Sequence, residues 1–119
     1  MQARHVMTRS LETVHPETTI LEAVRRMGEA ADRPMVVKEG DRLCGIVTRA
    51  DLRRGVIESS SPSECAVQEI MATGVARCGE DTAVERMREL VKDDEVDHLL
   101  VFDRQQRLVG LVPAGYMRH

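Results

Sequence analysis

The sequence has very few aromatic residues: one phenylalanine, one tyrosine and no tryptophan among 119 positions. Proteins that bind single-stranded nucleic acid stack the bases on several aromatic side chains. An open stacking platform of that kind is therefore excluded. Any planar group that this chain binds must be held by aliphatic contacts and backbone hydrogen bonds, which favours an enclosed pocket.

The sequence also lacks long apolar runs and blocks of like charge. The longest apolar run, residues 99–102, is far shorter than a membrane span, and no apolar core follows the arginines of the first ten residues as in a signal peptide. The net charge is -3, and acidic and basic residues alternate along the chain. Neither nucleic acid nor a membrane surface is therefore a predicted partner.

The reactive residues do not form a recognisable catalytic or metal-binding motif. The four histidines and three cysteines show no C-x-x-C or H-E-x-x-H spacing, and the glycines are too dispersed for a phosphate-binding loop. An odd number of widely spaced cysteines is typical of reduced thiols that pack in a cytosolic protein. The sequence predicts a cytoplasmic protein that is not an enzyme and that requires no metal or cofactor. The three cysteines are Cys44, Cys65 and Cys78.

What the sequence does contain is an internal repeat with a period of about sixty residues. The segment VMT at residues 6–8 recurs as IMA at residues 70–72, and TILE at residues 19–22 recurs as TAVE at residues 82–85. In both four-residue segments the threonine and the glutamate fit a capping box, which marks the start of a helix. Two helices are therefore expected to begin at matched places.

Each copy continues as a helix followed by a β-hairpin. Apolar side chains at helical spacing predict a helix over residues 20–30, and Val84, Met87, Leu90 and Val91 predict its counterpart. Pairs of short apolar strands separated by polar turns are expected at residues 34–38 and 43–48, and at 99–102 and 108–112.

The predicted architecture is a pair of similar halves. A closing helix is expected over residues 50–57, followed by a linker over residues 59–63. The predicted fold is therefore α/β (α+β), with two tandem pseudo-twofold repeats at residues 1–61 and 62–119, each a small β-sheet packed against two helices.

One further motif leads to a family. The sequence GIVTRADL at residues 45–52 follows the first hairpin. With the segments at residues 6–8 and 19–27, this order of elements resembles the CBS domain, which occurs in pairs called Bateman modules. The motifs are loose one by one, but their recurrence in order is specific. The resemblance implies a regulatory module that binds an adenosyl compound, such as AMP, ADP, ATP or an S-adenosyl compound, in the cleft between the repeats.

The family's Gly-x-x-Thr-x-x-Asp element matches Gly45, Thr48 and Asp51. A carboxylate in the first helical turn can accept hydrogen bonds from vicinal ribose hydroxyls, and a threonine hydroxyl at the helix start lies among N–H groups that attract phosphate. The alternative is structural: Thr48 is an N-cap, and Asp51 is a first-turn acid favoured by the helix dipole. Spacing alone leaves both open. We expect Asp51→Ala to abolish ligand binding at little cost in stability.

The resemblance also implies which residues of the second repeat face this pair. They are Arg77, Cys78, Asp81, Val96, Asp97 and His98. In this arrangement Ile46 and Val96 enclose the base. The alternative for Asp97 and His98 is that they are solvated residues at the start of a strand.

The second repeat departs from the binding pattern. Pro113 and Tyr116 stand where Thr48 and Asp51 stand in the first repeat. Proline has no hydroxyl and tyrosine has no carboxylate, so we expect at most one competent cleft per chain, with the second degenerate or blocked by Tyr116. The remaining half of that second cleft consists of Thr18, Asp32, Arg33 and Pro34.

A different class of function stays open beside ligand sensing: a structural module that dimerises and binds no small molecule. Leu52 and Val56 of the closing helix, with the apolar faces of the repeat helices, leave more apolar surface than a small pair can cover. Such surface is typical of an interface. We expect a homodimer to which the helices after Thr48 and Pro113 contribute. In the sensing alternative, a regulated protein partner reads the bound ligand.

Overall fold

The computed structural model describes residues 1–28 and 34–118. In chain order its elements are α1 (Ala3–Val6), β1 (Glu12–Val14), α2 (Ile20–Met27), β2 (Met35–Glu39), β3 (Arg42–Val47), α3 (Arg49–Glu58), β4 (Val75–Gly79), α4 (Val84–Leu90), β5 (His98–Phe102) and β6 (Leu108–Pro113). Short 3-10 turns lie at Val67–Glu69 and Ala114–Tyr116. The chain forms two compact units, named here the first unit (Leu11–Thr73) and the second unit (Met1–Ser10 with Gly74–His119).

The first unit is a three-stranded sheet with two helices. Strand β2 lies between β1, which is parallel to it, and β3, which is antiparallel. Gly40 occupies the β2–β3 turn with φ of 61°, a left-handed conformation that glycine adopts without a Cβ clash. Burial of each large aliphatic side chain in the core stabilises the unit by about 1.5–3 kcal/mol. The core residues are Val14, Ile20, Ala23, Met27, Met35, Val37, Val47, Leu52 and Val67.

The second unit repeats this plan. Strand β5 lies between β4, which is parallel to it, and β6, which is antiparallel. Helix α4 buries Val84 and Met87, whose spacing of three residues places both on one face. The two antiparallel pairs confirm the predicted hairpins. The core residues are Ala3, Val84, Met87, Val91, Leu99, Val101, Val112, Ala114 and Met117.

The segment that leads into each repeat belongs to the opposite unit. Thr8 precedes the first repeat's strands, yet it exchanges two backbone hydrogen bonds with Leu111 of β6, at 2.9 and 3.0 Å. Ala72 does the same with Ile46 of β3, at 2.8 and 2.9 Å. Each compact unit therefore contains chain from both sequence repeats. The boundary expected after residue 61 concerns the repeats in the sequence and stays a prediction.

Glycine makes both of these close approaches feasible. A Cβ at Gly45 would lie 2.7 Å from the carbonyl oxygen of Ala72, closer than real Cβ contacts. A Cβ at Gly110 would overlap the side chain of Met7. Glycine at these two positions therefore allows the leading segments to pair with β3 and β6.

The fold class predicted from the sequence is confirmed: two tandem repeats of mixed α and β structure. The expected capping box at Thr82 is wrong, because α4 begins after Ala83 and the Thr82 hydroxyl accepts from the N–H of Gly79 instead, at 3.0 Å. The helix expected over residues 20–30 ends at Met27, and the last two of those residues lie outside the described part. Within residues 1–28 and 34–118, no helix has the length and apolar character needed to cross a bilayer.

Candidate functional site

Thr48 and Asp51 form a reciprocal capping box at the start of α3. The Thr48 hydroxyl accepts from the backbone N–H of Asp51 at 3.2 Å. Asp51 Oδ2 accepts from the backbone N–H of Thr48 at 2.9 Å and from its hydroxyl at 3.0 Å. These bonds satisfy N–H groups that a helix start leaves without intrahelical partners. The structural role considered for this pair is therefore present in the fold.

The other oxygen of Asp51 faces a cation. Arg54 Nη2 donates to Asp51 Oδ1 at 3.0 Å, one helical turn along α3. The Asp51 side chain is only 13% exposed, whereas that of Arg54 is 53% exposed. An ionised carboxylate has about four acceptor positions, so Oδ1 keeps capacity for a further donor. The carboxylate is thus held in one orientation and is able to accept from a hydroxyl.

Ile46 lies in β3, two residues before this pair. Its side chain is fully buried, and its backbone pairs with Ala72 as described above. The first unit therefore brings Ile46, Thr48 and Asp51 together at the junction of β3 and α3.

The predicted site residues of the second unit lie in three places. Arg77 and Cys78 are neighbours on β4, so their side chains point to opposite faces of the sheet. Arg77 is exposed, with its guanidinium 4.6 Å from the centre of the Phe102 ring, a cation–π contact. Cys78 packs against the core, and burial raises the pKa of its thiol although the Thr82 hydroxyl partly opposes this. The raised pKa leaves less of the reactive thiolate at Cys78 than at an ordinary exposed cysteine.

Asp81 belongs to an ion-pair cluster. Its carboxylate pairs with Arg4 of α1 and, at 3.2 Å, with Arg104 Nε in the β5–β6 turn. It also lines an open cavity of about 390 Å³ that none of the other predicted site residues lines. The residues around that cavity are Gly79, Glu80, Asp81, Thr82, Phe102, Asp103, Arg104 and Gln106.

Val96, Asp97 and His98 are consecutive at the start of β5. Val96 is half-buried against the core, and Asp97 is exposed. The N–H of Asp97 donates to the carbonyl of Gly74 at 2.6 Å, and its carbonyl accepts from the N–H of Ala114 at 2.9 Å. His98 is buried, with 8% exposure, so its side chain is not solvated, whereas Asp97 is exposed; whether either residue contacts a ligand stays a prediction.

The structure also describes most of the residues that were predicted to form the degenerate second cleft. Pro113 ends β6, and Tyr116 is 73% exposed in the 3-10 turn that follows. Thr18 is half-buried, and its carbonyl accepts from the N–H of Val67 at 2.8 Å. Pro34 is half-buried. Asp32 and Arg33, expected beside them, lie outside the described residues.

An apolar groove runs along the two helices of the first unit, with a volume of about 290 Å³. Val24, Val56 and Ile57 are exposed there by 37%, 43% and 77%. Exposed aliphatic side chains gathered in one groove are typical of an interface. The groove is lined by Val24, Met27, Arg49, Leu52, Arg53, Val56 and Ile57.

The sequence matches one known family twice. The family is described as the CBS domain, and the matches cover residues 3–58 and 67–116. Among curated proteins, the chain is 30% identical over 112 residues to an inosine-5'-monophosphate dehydrogenase of Methanocaldococcus jannaschii. That match covers 93% of this chain but only 22% of the enzyme. The chain spans less than a quarter of the length of this and other curated relatives.

Solved structures give the same result for the fold. A CBS domain protein of unknown function from Thermoplasma acidophilum superposes with a TM-score of 0.74 at 22% identity, covering 95% of this chain and 65% of the other. The cytosolic domain of the Mg2+ channel MgtE, in complex with ATP, has a TM-score of 0.66 at 27% identity. That match covers 96% of this chain and 46% of the MgtE domain.

Proposed function

Because this chain belongs to the CBS-domain family, we propose that it is a regulatory module that binds an adenosyl compound: AMP, ADP, ATP or an S-adenosyl compound. The observation that carries this proposal is the fixed carboxylate of Asp51 beside the Thr48 hydroxyl. The ATP complex of the similar MgtE domain supports the same class of ligand. In this function the chain requires no cofactor and catalyses no reaction.

The chemistry of this pair suits a ribose. Asp51 Oδ2 is occupied by Thr48, so Oδ1 is the atom that accepts from a ribose hydroxyl, sharing its lone pairs with Arg54 or replacing that contact. The exposed Arg54 side chain can leave at low cost, because a surface ion pair is worth at most about 1 kcal/mol. The capping box keeps the carboxylate oriented, so little conformational entropy is lost on binding.

The proposal extends to the other predicted residues. Ile46 and Val96 contribute apolar contact to the base, and the second repeat contributes the remaining polar groups: Arg77, Cys78, Asp81, Asp97 and His98. Pro113 and Tyr116 leave the equivalent second site without a ribose acceptor. One ligand per chain is therefore expected. The proposal places the module in the cytoplasm, where its three free thiols stay reduced.

The test is a thermal-shift panel with AMP, ADP, ATP and S-adenosylmethionine. A ligand that binds only the folded protein adds about 2.7 kcal/mol at one hundred times its Kd. We expect a shift with at least one of the four, and we expect Asp51→Asn to remove it while keeping an acceptor for the Thr48 N–H. The matched control is Glu22→Gln, since Glu22 also follows a threonine N-cap by three residues and pairs with arginines. No shift in the wild type, or an equal shift in Asp51→Asn, would overturn the proposal.

A second candidate function is favoured by the apolar groove: a homodimerisation module that needs no ligand. A second copy that covers Val24, Val56 and Ile57 removes the largest exposed aliphatic side chains of this unit from water. We expect a dimer at tens of micromolar by light scattering, roughly the range in which a specific interface persists. We expect Ile57→Asp, at a mostly exposed position, to give a folded monomer. A monomeric wild type rejects the dimer, whether or not a nucleotide binds.

A further inference from the structure

The segment between α4 and β5 carries two of the predicted ligand residues, Val96 and Asp97, and leads into a third. Residues 92–97 have the sequence KDDEVD, in which four carboxylates are exposed and only Val96 packs against the core. The segment ends in Asp97 and leads directly into His98. Because it has so little apolar anchorage of its own, its conformation depends on hydrogen bonds to its backbone.

One side chain supplies several of those bonds. Arg118 Nε donates to the carbonyl of Val91 at 2.8 Å. Its Nη2 donates to the carbonyls of Asp93 and Val96, each at 2.6 Å. The planar guanidinium suits this arrangement, because it presents several N–H groups in a fixed geometry. Its charge also lies at the carboxyl end of α4, where a cation is favoured.

The segment is held on its other side by Gly74. The carbonyl of Gly74 accepts from the N–H groups of Asp97 at 2.6 Å and of His98 at 3.2 Å. Gly74 thus fixes the end of the segment, whereas Arg118 fixes the carbonyls at 91, 93 and 96. Without the guanidinium, the carbonyls of Val91 and Val96 lose this donor, and the carbonyl of Asp93 keeps the N–H of Val96, at 3.0 Å. We therefore expect residues 92–96 to lose a single conformation, while Gly74 still holds Asp97 and His98.

We propose that Arg118 is a positioning residue for ligand binding: it holds residues 91–96 so that Val96, Asp97 and His98 are presented in one arrangement. The inference rests on the proposed function, because it assigns to Arg118 an effect on nucleotide affinity. Arg118 touches no ligand in this scheme. It acts through the backbone of the residues that do.

The test combines local hydrogen exchange with nucleotide affinity. In Arg118→Ala we expect faster exchange of the backbone N–H groups of residues 92–96, and about tenfold weaker binding of the adenosyl compound that shifts the wild type. Affinity is measured by calorimetry well below the melting temperature, where every variant is folded, so a change in global stability alone does not alter it. Arg118→Lys is expected to restore part of the affinity, because one ammonium reaches fewer carbonyls at once.

The control is Arg86→Ala, which removes an exposed arginine from α4 that pairs with Glu89. It is expected to bind the nucleotide like the wild type. If hydrogen exchange is unchanged in Arg118→Ala, Arg118 does not hold residues 91–96. If exchange is faster but the affinity is unchanged, the positioning role in ligand binding is overturned. If the wild type binds none of the four adenosyl compounds, the proposed function fails and the effect of Arg118 on affinity fails with it. The exchange data still show whether Arg118 holds residues 91–96.

Discussion

The reciprocal capping box at α3 has a consequence for stability that can be measured separately from ligand binding. Replacing Asp51 by alanine removes the acceptor for two groups of Thr48 and the partner of Arg54. Loss of such a cap costs about 1 kcal/mol. The ion pair adds at most a few tenths, because Arg54 is half exposed and solvent screens it.

The expected loss for Asp51→Ala is therefore about 1–1.5 kcal/mol. For a chain of 119 residues, 1 kcal/mol corresponds to about 4 °C in melting temperature. The sequence predicted little cost at this position, on the view that a first-turn acid is exposed. The side chain is only 13% exposed and is bonded on both oxygens, so that expectation is revised.

A double-mutant cycle isolates the contribution of the box. Thr48→Ala, Asp51→Ala and the double variant are compared by urea unfolding without ligand. Because each single variant removes the bond from the Thr48 hydroxyl to Asp51 Oδ2, that bond is counted twice when the two losses are added. The double variant should therefore lose clearly less than the sum of the two, with a coupling of about 0.5–1 kcal/mol. Additive losses would show that the two side chains do not interact and would refute this description of the helix start.

The start of α2 is the matched control for the cycle. There the Thr19 hydroxyl accepts from the backbone N–H of Glu22, at 3.1 Å, a bond that needs no carboxylate. Thr19→Ala and Glu22→Ala should therefore be nearly additive. A coupling as large as that at α3 would mean that the cycle reports something other than the reciprocal bonds.

Two further variants test other parts of the structure. Gly45→Ala should destabilise the fold by about 1–3 kcal/mol in urea unfolding, because the new Cβ would lie 2.7 Å from the Ala72 carbonyl oxygen. The control Gly115→Ala should be tolerated, because the space around its Cβ is open. Equal effects of the two substitutions would contradict the close approach at Gly45. Hydrogen bonds from Arg107, first of all its backbone N–H, lower the pKa of Asp103. A carboxyl group with a lowered pKa in the folded state stabilises the fold above its unfolded-state pKa, and this stabilisation is lost as the pH falls through the folded-state pKa. The difference in unfolding free energy between the wild type and Asp103→Asn should therefore shrink between neutral pH and about pH 3. A difference that stays constant with pH would contradict the lowered pKa.

Local patterns were sufficient to predict most elements of the fold. The apolar run at residues 34–38 and the polar turn after it identify a hairpin because strand burial and turn chemistry are both local properties. The threonine at 82 shows where local patterns fail. Its hydroxyl can accept either from an N–H of the helix that follows or from the N–H of Gly79 in the preceding turn, and in the structure it accepts from Gly79. The choice between these two donors depends on how the turn packs.

The candidate site also contains contacts that local sequence patterns predict and contacts that they do not. Thr48 and Asp51 are three residues apart, so their contact follows from helix geometry and was visible in the sequence. Arg118 is separated by 22 to 27 residues from the carbonyls that it binds, and no periodicity or motif marks such a contact. The same is true of the pairing of Thr8 with Leu111, which only the folded chain reveals.

Because each leading segment pairs with a strand of the other repeat, each compact unit needs chain from both sequence repeats. A cut within residues 59–63 yields two fragments, and each fragment carries part of the first unit and part of the second. Neither fragment alone can satisfy the backbone of β3 or of β6 where Ala72 and Thr8 pair with them. The fragments can complete both units only by associating, so the stability of the nicked protein would rise with its concentration, as it does for an obligate dimer.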